Sequence, residues 1–101
     1  MMLEKALREN KLFDIYGELL TKRQIEVFQY YYHEDLSYQE IADLLGISKA
    51  AIYDNISKTS IILEDYESHL HLLSLIEELK ALEDTEVLEI VKKHTPGGHY
   101  E

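Results

Sequence analysis

Cysteine is absent from the 101 residues, which excludes disulfides and thiolate metal sites. Basic side chains are scarce, ten Lys and Arg against twenty Asp and Glu, for a formal net charge of -10. That sign is wrong for a protein that holds nucleic acid by bulk attraction. The shortage is uneven: residues 1–60 hold seven basic and ten acidic side chains, residues 61–101 three and ten. No stretch approaches the roughly twenty apolar residues of a membrane span. Met1-Met2-Leu3-Glu4-Lys5 gains charge at once and has no apolar signal core, so a soluble, cytoplasmic chain is expected. A glycine-rich phosphate loop, a nucleophile-elbow serine and His-Glu-x-x-His spacing are all missing, so the sequence predicts neither an enzyme nor a cofactor or metal site.

What is present is a run from Ser37 to Tyr53 that spells two short helices joined by a tight turn. Ser37-x-x-Glu40 is a capping box. Ile41, Leu44 and Leu45 form one apolar face, and Ala42 lets a second helix cross closely. Gly46 can take the positive φ of a helix stop. Ser48 caps the next helix, which turns Ile52 and Ile56 toward the first and leaves its opposite face free for a partner. Together these make a helix-turn-helix; the plainer reading is a helical hairpin of some other bundle.

Around this motif the periodicity predicts an all-α protein, a three-helix helix-turn-helix bundle with a long C-terminal helix and a short last helix. The first helix is expected from about Glu4 to Leu20, with Leu7, the Lys11 stem, Phe13, Ile15, Tyr16 and Leu19 or Leu20 packing inward. Thr21-x-x-Gln24 is a second capping box, opening a helix that carries Ile25, Val27, Phe28, Tyr31 and Tyr32. No breaker stands between Ser48 and about Leu82, so that helix either exceeds thirty residues or bends near Ser68. Ile62, Leu63, Tyr66, Leu70, Leu73, Ile76 and Leu79 give it a wide apolar stripe. Asp84 or Thr85 caps the last helix, and Thr95-Pro96-Gly97-Gly98 ends it. The expected domains are 1–60 for the helix-turn-helix, 61–94 for a helical extension that dimerises through Ile62, Tyr66, Leu70, Leu73 and Ile76, and 95–101 for a flexible tail.

With Ile52, Ile56, Thr59 and Leu63 as the buried line of the second motif helix, the 100° step turns Ala50, Asp54, Ser57, Lys58 and Ile61 outward. Lys58 follows Asp54 by four residues, so the two can neutralise each other. A major-groove reader relies on Arg, Asn, Gln or Lys at base edges, and this face offers little of that kind. Lys22, Arg23, Lys49, Ser48 and the amides near Tyr38 and Gln39 are the candidates for backbone contacts; otherwise Lys22 and Arg23 are a solvated helix start. Four cations per chain would become eight in a symmetric dimer, within the roughly 6–10 phosphate contacts of strongly salt-dependent binders. Tyr30-Tyr31-Tyr32 cannot bury all three rings on one helix. Tyr53, Tyr38 and Tyr66 suit core or interface packing, with base stacking the alternative. His69 and His71, at i and i+2, point to nearly opposite sides of a helix and have no third ligand.

Ser37 to Lys58 resembles the helix-turn-helix of region four in bacterial sigma factors. A longer set is more particular: Leu19-Leu20-Thr21, Gln24, Tyr31-Tyr32, Glu34-Asp35-Leu36-Ser37, Glu40-Ile41-Ala42, Gly46-Ile47-Ser48, Ala51-Ile52-Tyr53-Asp54-Asn55-Ile56, Leu63-Glu64-Asp65-Tyr66-Glu67 and Leu70-His71-Leu72. Over about residues 12 to 76 this set is similar to the YlxM family of small bacterial proteins, with Tyr53-Asp54-Asn55-Ile56 its most specific part. The resemblance implies a sigma-region-four-like domain followed by C-terminal helices, and a regulatory or accessory role in the signal recognition particle pathway. Sigma factors tend to carry Thr and Arg on the reading helix where this chain has Ala51, Asp54 and Asn55. The expected function is therefore a non-enzymatic accessory protein that docks on the particle, its RNA or its GTPase components, as a homodimer. The competing readings are a dimeric DNA-binding transcription regulator and a pure protein-interaction adaptor.

Overall fold

Residues 2–95 are described by a computed structural model, and among them there are six α-helices and no strand. They form two compact units, one of Glu18–Ile62 and one of the residues up to Gly17 together with those from Leu63 onward. The first helix thus groups with the C-terminal segment instead of the helix-turn-helix, unlike the expected 1–60 boundary.

In the Glu18–Ile62 unit the local capping signals set the helix starts. Thr21 Oγ1 accepts from the Gln24 amide at 3.2 Å and Gln24 Oε1 from the Thr21 amide at 3.0 Å, opening α2 (Lys22–Phe28). The helix then widens into a π-helical stretch over Gln29–His33, in which the Glu34 amide donates to the Gln29 carbonyl five residues back at 2.9 Å. Ser37 and Glu40 close the second capping box, at 3.1 and 2.9 Å, and open α3 (Tyr38–Leu45). Gly46 ends α3 at φ +69, and Ser48 Oγ accepts from the Ala51 amide at 3.0 Å to start α4 (Lys49–Leu70). Val27, Ile41, Ala42, Ile52 and Ile56 make the core, with Tyr31, Leu36, Tyr38 and Leu45 packed against it. A Cβ at Gly46 would meet nothing within 4 Å, so Gly46→Ala is strained only by its backbone. We expect it to cost about 1–2 kcal/mol, read as a lower urea midpoint at unchanged slope; no shift would show that the turn can reshape.

In the other unit, α1 (Met2–Tyr16) ends four residues before the expected Leu20 and gives way to a 3-10 turn over Gly17–Leu19. Leu7, expected inside, is exposed, and of Leu19 or Leu20 it is Leu20 that is buried; Leu12 is fully buried beside Ile15 and Tyr16. Glu9, Leu12 and Tyr16 share the inward face at i, i+3 and i+7, and Leu7 lies well off it. The Lys11 ammonium pairs with Glu77 at 3.0 Å, and Arg8 clasps Glu64 at 2.6 and 2.9 Å.

The long helix is not continuous. His71 takes a left-handed conformation (φ +56) between α4 and α5 (Leu72–Ala81). The cause is non-local. Glu67, buried at 6% exposure, accepts from the Tyr16 hydroxyl at 2.7 Å, the Leu73 amide at 2.9 Å, and the Ser74 amide and hydroxyl at 3.1 Å each. The Leu72 amide donates to the Tyr16 oxygen at 3.2 Å. Amides that a continuing helix would pair with carbonyls four residues back are thus satisfied by two side chains. Burial pushes the Glu67 carboxyl up, but the bonds from Tyr16, Leu73 and Ser74 outweigh it and hold the group below the ordinary carboxylate range. Burial, then the bond to Glu67, pushes the Tyr16 phenol up to about 12.

This break divides the expected dimer stripe. Leu63 and Leu73 are buried within their own chain, Tyr66 packs against Tyr16 with ring centroids 5.7 Å apart, Ile62 and Ile76 are half-buried, and only Leu70 stands exposed. Leu73 in particular has no surface left to offer a second copy. Asp84 Oδ1 accepts from the Glu86 and Val87 amides at 2.9 and 3.2 Å, making Asp84 the cap of α6 (Thr85–His94). Thr95, placed in the expected tail, is buried and its hydroxyl donates to the Val91 carbonyl at 2.6 Å; residues 96–101 of that tail lie outside the described residues. Asp35 (φ +62) and Glu83 (φ +54) join His71 as left-handed residues in connections.

Candidate nucleic-acid interface

All eleven candidate binding residues lie in the Glu18–Ile62 unit, on α2, on α3, and on α4 with the Ser48 cap before it. The buried line of α4 is as the helical step predicts: Ile52, Ile56, Thr59 and Leu63 are all buried, while Ala50, Asp54, Lys58 and Ile61 are exposed and Ser57 is half-buried. Since α3 ends at Gly46 and α4 presents its first three turns along this face, the motif leaves a ridge from Lys49 to Lys58 open to solvent.

The charge that the candidate residues of α2, α3 and α4 offer is thinner than a count of cations suggests. Lys58 is bound to Asp54 at 2.9 Å and Arg23 to Glu26 at 3.5 Å. Lys22 and Lys49 are exposed and make no ion pair among the described residues. Gln39, exposed near the start of α3, spends its amide on Asp43 at 2.9 Å. Ser48 is occupied as a cap. What remains is two unpaired ammonium groups and those first-turn amides of α3 and α4 that the Ser37 and Ser48 caps do not take, a set suited to phosphates more than to base edges.

Aromatic rings buttress this face. Tyr31 stacks on Tyr38 with centroids 4.9 Å apart and 22° between planes, and Tyr38 meets the edge of Tyr53 at 5.7 Å. Tyr32 abuts Tyr31 at 4.8 Å and Phe28 at 4.6 Å. The series runs from the buried Phe28 to Tyr53, which is 58% exposed on the ridge. A hydrogen bond with Tyr31, then burial, pushes the Tyr38 phenol up to about 12. The sequence singled out Tyr38 and Tyr53 but not the role of Tyr31, whose stacking partner Tyr38 lies on the next helix, across the connection at 34–37. Among the described residues no three His, Asp or Glu side chains gather to hold a metal ion; His69 Nδ1 lies 2.8 Å from the Asp65 carbonyl.

A family profile described as "Putative helix-turn-helix protein, YlxM / p13 like" matches residues 3–95. The chain belongs to the UPF0122 family. Its relatives include a UPF0122 protein of Oceanobacillus iheyensis, 47% identical over 88 residues that span 86% of this chain and 84% of the relative. Another, of Shouchella clausii, is 49% identical over 81 residues, 80% of this chain and 74% of the relative. A third, of Streptococcus gordonii, is 49% identical over 74 residues, 73% and 67%. The family is a helix-turn-helix family, which points to nucleic-acid binding, and its description names no catalytic activity. No described helix is long and apolar enough to cross a membrane.

Proposed function

We propose that this chain is a non-enzymatic accessory protein that docks through the Lys49–Lys58 ridge on structured nucleic acid of the signal recognition particle pathway, by backbone contact instead of base reading. The observation that carries this reading is the ridge itself. It is exposed, it holds unpaired Lys49 and the half-exposed Tyr53, and its other cation is already neutralised by Asp54. Such a face gains little from a particular base sequence and more from a shape that brings phosphates to Lys22, Lys49 and the helix-start amides. The resemblance of residues 12 to 76 to the YlxM family supports the choice of pathway.

The test is a fluorescence-anisotropy titration of labelled particle RNA and of random duplex DNA across a salt series. The RNA is expected to bind more tightly and with a clear salt slope. Lys22→Ala and Lys49→Ala should each reduce that slope by about one, whereas Arg23→Ala and Lys58→Ala, which only free a carboxylate, should change it less. Equal or tighter binding to a short DNA sequence would overturn the reading in favour of a transcription regulator.

A further inference from the structure

The ridge carries an aromatic ring that contact with phosphates alone does not use. Tyr53 is 58% exposed, and its neighbours along the outer face of α4, Ala50 and Ser57, are too short to cover it. An exposed side chain ordinarily changes rotamer freely, but this one is backed from a different helix. The Tyr38 ring, at the start of α3, meets it with centroids 5.7 Å apart and planes at 80°. Tyr38 is held in turn by Tyr31, which stacks on it at 4.9 Å and 22° and shares a hydrogen bond with its phenol. Tyr31 comes from the π-helical stretch Gln29–His33, and such widenings recur at functional sites. Three successive helical elements therefore support one open ring.

The surroundings of the ring select what rests on it. Lys49 precedes Tyr53 by four residues, which makes the two neighbours on one helix face, roughly 5–6 Å apart at Cβ. Its ammonium is exposed and makes no ion pair among the described residues. An unpaired cation beside an open aromatic ring suits a nucleotide, in which one sugar separates phosphate from base. Asp54 and Lys58 on the same ridge bind each other at 2.9 Å and so add little net charge. Inside a duplex the flat faces of the bases are covered by their stacked neighbours, so only an unpaired nucleotide can use the ring. We propose that Tyr53 is a stacking platform for an unpaired base, with Lys49 on the adjoining phosphate, so that the ridge selects a loop or bulge of RNA over a continuous duplex. Every base has a π-face, so this selection reads pairing state and not base identity. It rests on the reading of the ridge as a nucleic-acid docking face and names the part of the nucleic acid that docks. A ring already fixed by Tyr38 also loses less freedom on binding.

The experiment uses the full chain and two RNA hairpins with the same stem, one carrying 2-aminopurine as a single-nucleotide bulge and the other carrying it paired with uracil. The bulged RNA is expected to bind about tenfold more tightly, and its 2-aminopurine fluorescence to be quenched on binding. Tyr53→Phe should keep the preference and the quenching, because the ring alone stacks. Tyr53→Ala and Tyr53→Leu should lose both while leaving the salt slope and the helical circular dichroism unchanged, since neither removes a charge or a buried group. Placing adenine, guanine or uracil in the bulge should alter affinity less than about threefold. If both hairpins bind equally with a salt slope and Tyr53→Ala is silent, the stacking platform is overturned and the docking reading stands. Retention of the preference by Tyr53→Leu would overturn it as well, by making the contact merely apolar. Binding of neither hairpin would remove the platform together with the docking reading.

Discussion

Glu67→Ala is expected to be among the most damaging single changes in this chain, lowering the melting temperature by roughly 15 °C. It removes the acceptor of four hydrogen bonds at once, two of them from the Tyr16 hydroxyl and the Leu73 amide, both buried. Each buried donor left without a partner costs about 1–3 kcal/mol, so a total of roughly 3–4 kcal/mol follows. Glu67→Gln keeps one acceptor oxygen but turns an amide N–H toward the donors, and should cost about half as much. The charge adds a pH signature. The folded carboxyl titrates below its unfolded value, so in the acid range the unfolded chain binds more protons. Its contribution is then fully present above the ordinary carboxylate pKa of about 4.5 and is lost as pH falls through the lower folded value. Glu64, also held down by its bond to Arg8, lies on the same acid limb, but that pair is about half exposed and weighs less. Thermal melts of wild type and both variants from pH 3 to 7 check this; an unchanged melting temperature for Glu67→Ala, or an acid limb that survives in full in Glu67→Gln, would refute it.

The second large effect lies in the other unit. Ile52→Ala should cost about 2–5 kcal/mol, because Ile52 is fully buried among Val27, Ile41, Ala42 and Ile56 and the void cannot close without moving α3 against α4. Ile61→Ala on the same helix is the control. Ile61 is 68% exposed, so its truncation should stay within about 0.5 kcal/mol. Urea titrations of the two variants separate packing from helix propensity, since both replace isoleucine by alanine in α4. Comparable losses would mean that α4 does not face α3 as described. Because Ile52 holds the two motif helices at their crossing, its loss should also blur the placement of Lys49 and Tyr53 and weaken binding by the ridge.

Local chemistry made the helix-turn-helix legible. Two capping boxes, a glycine at a left-handed stop and a serine cap each act within four residues, and each is found where the spacing put it. The burial of Ile52, Ile56 and Thr59 and the Asp54–Lys58 pair follow from the 100° step alone. Interactions between distant residues were not legible. The stop at His71 depends on Glu67 and on Tyr16, which lies fifty-one residues before Glu67 in the chain, so a search for glycine or proline finds no boundary there. Leu12 was overlooked because α1 carries apolar residues on several sides, and only its tertiary partners decide which side turns inward. For the same reason the 62–79 stripe reads as one dimer face even with a bend allowed near Ser68, when the break at His71 turns Leu73 into core. The π-helical widening at Gln29–His33 also escapes a 3.6-residue period, and with it the stacking of Tyr31 on Tyr38.

Three of the joints between helices turn on Asp35, His71 and Glu83, residues that carry side chains where glycine would bend without resistance. Each such corner costs about 1–2 kcal/mol in the folded chain, yet it also denies the denatured chain the wide range of shapes that glycine would permit. The chain therefore places three of its bends at residues with side chains, where a cost in the folded state is set against a narrower denatured ensemble.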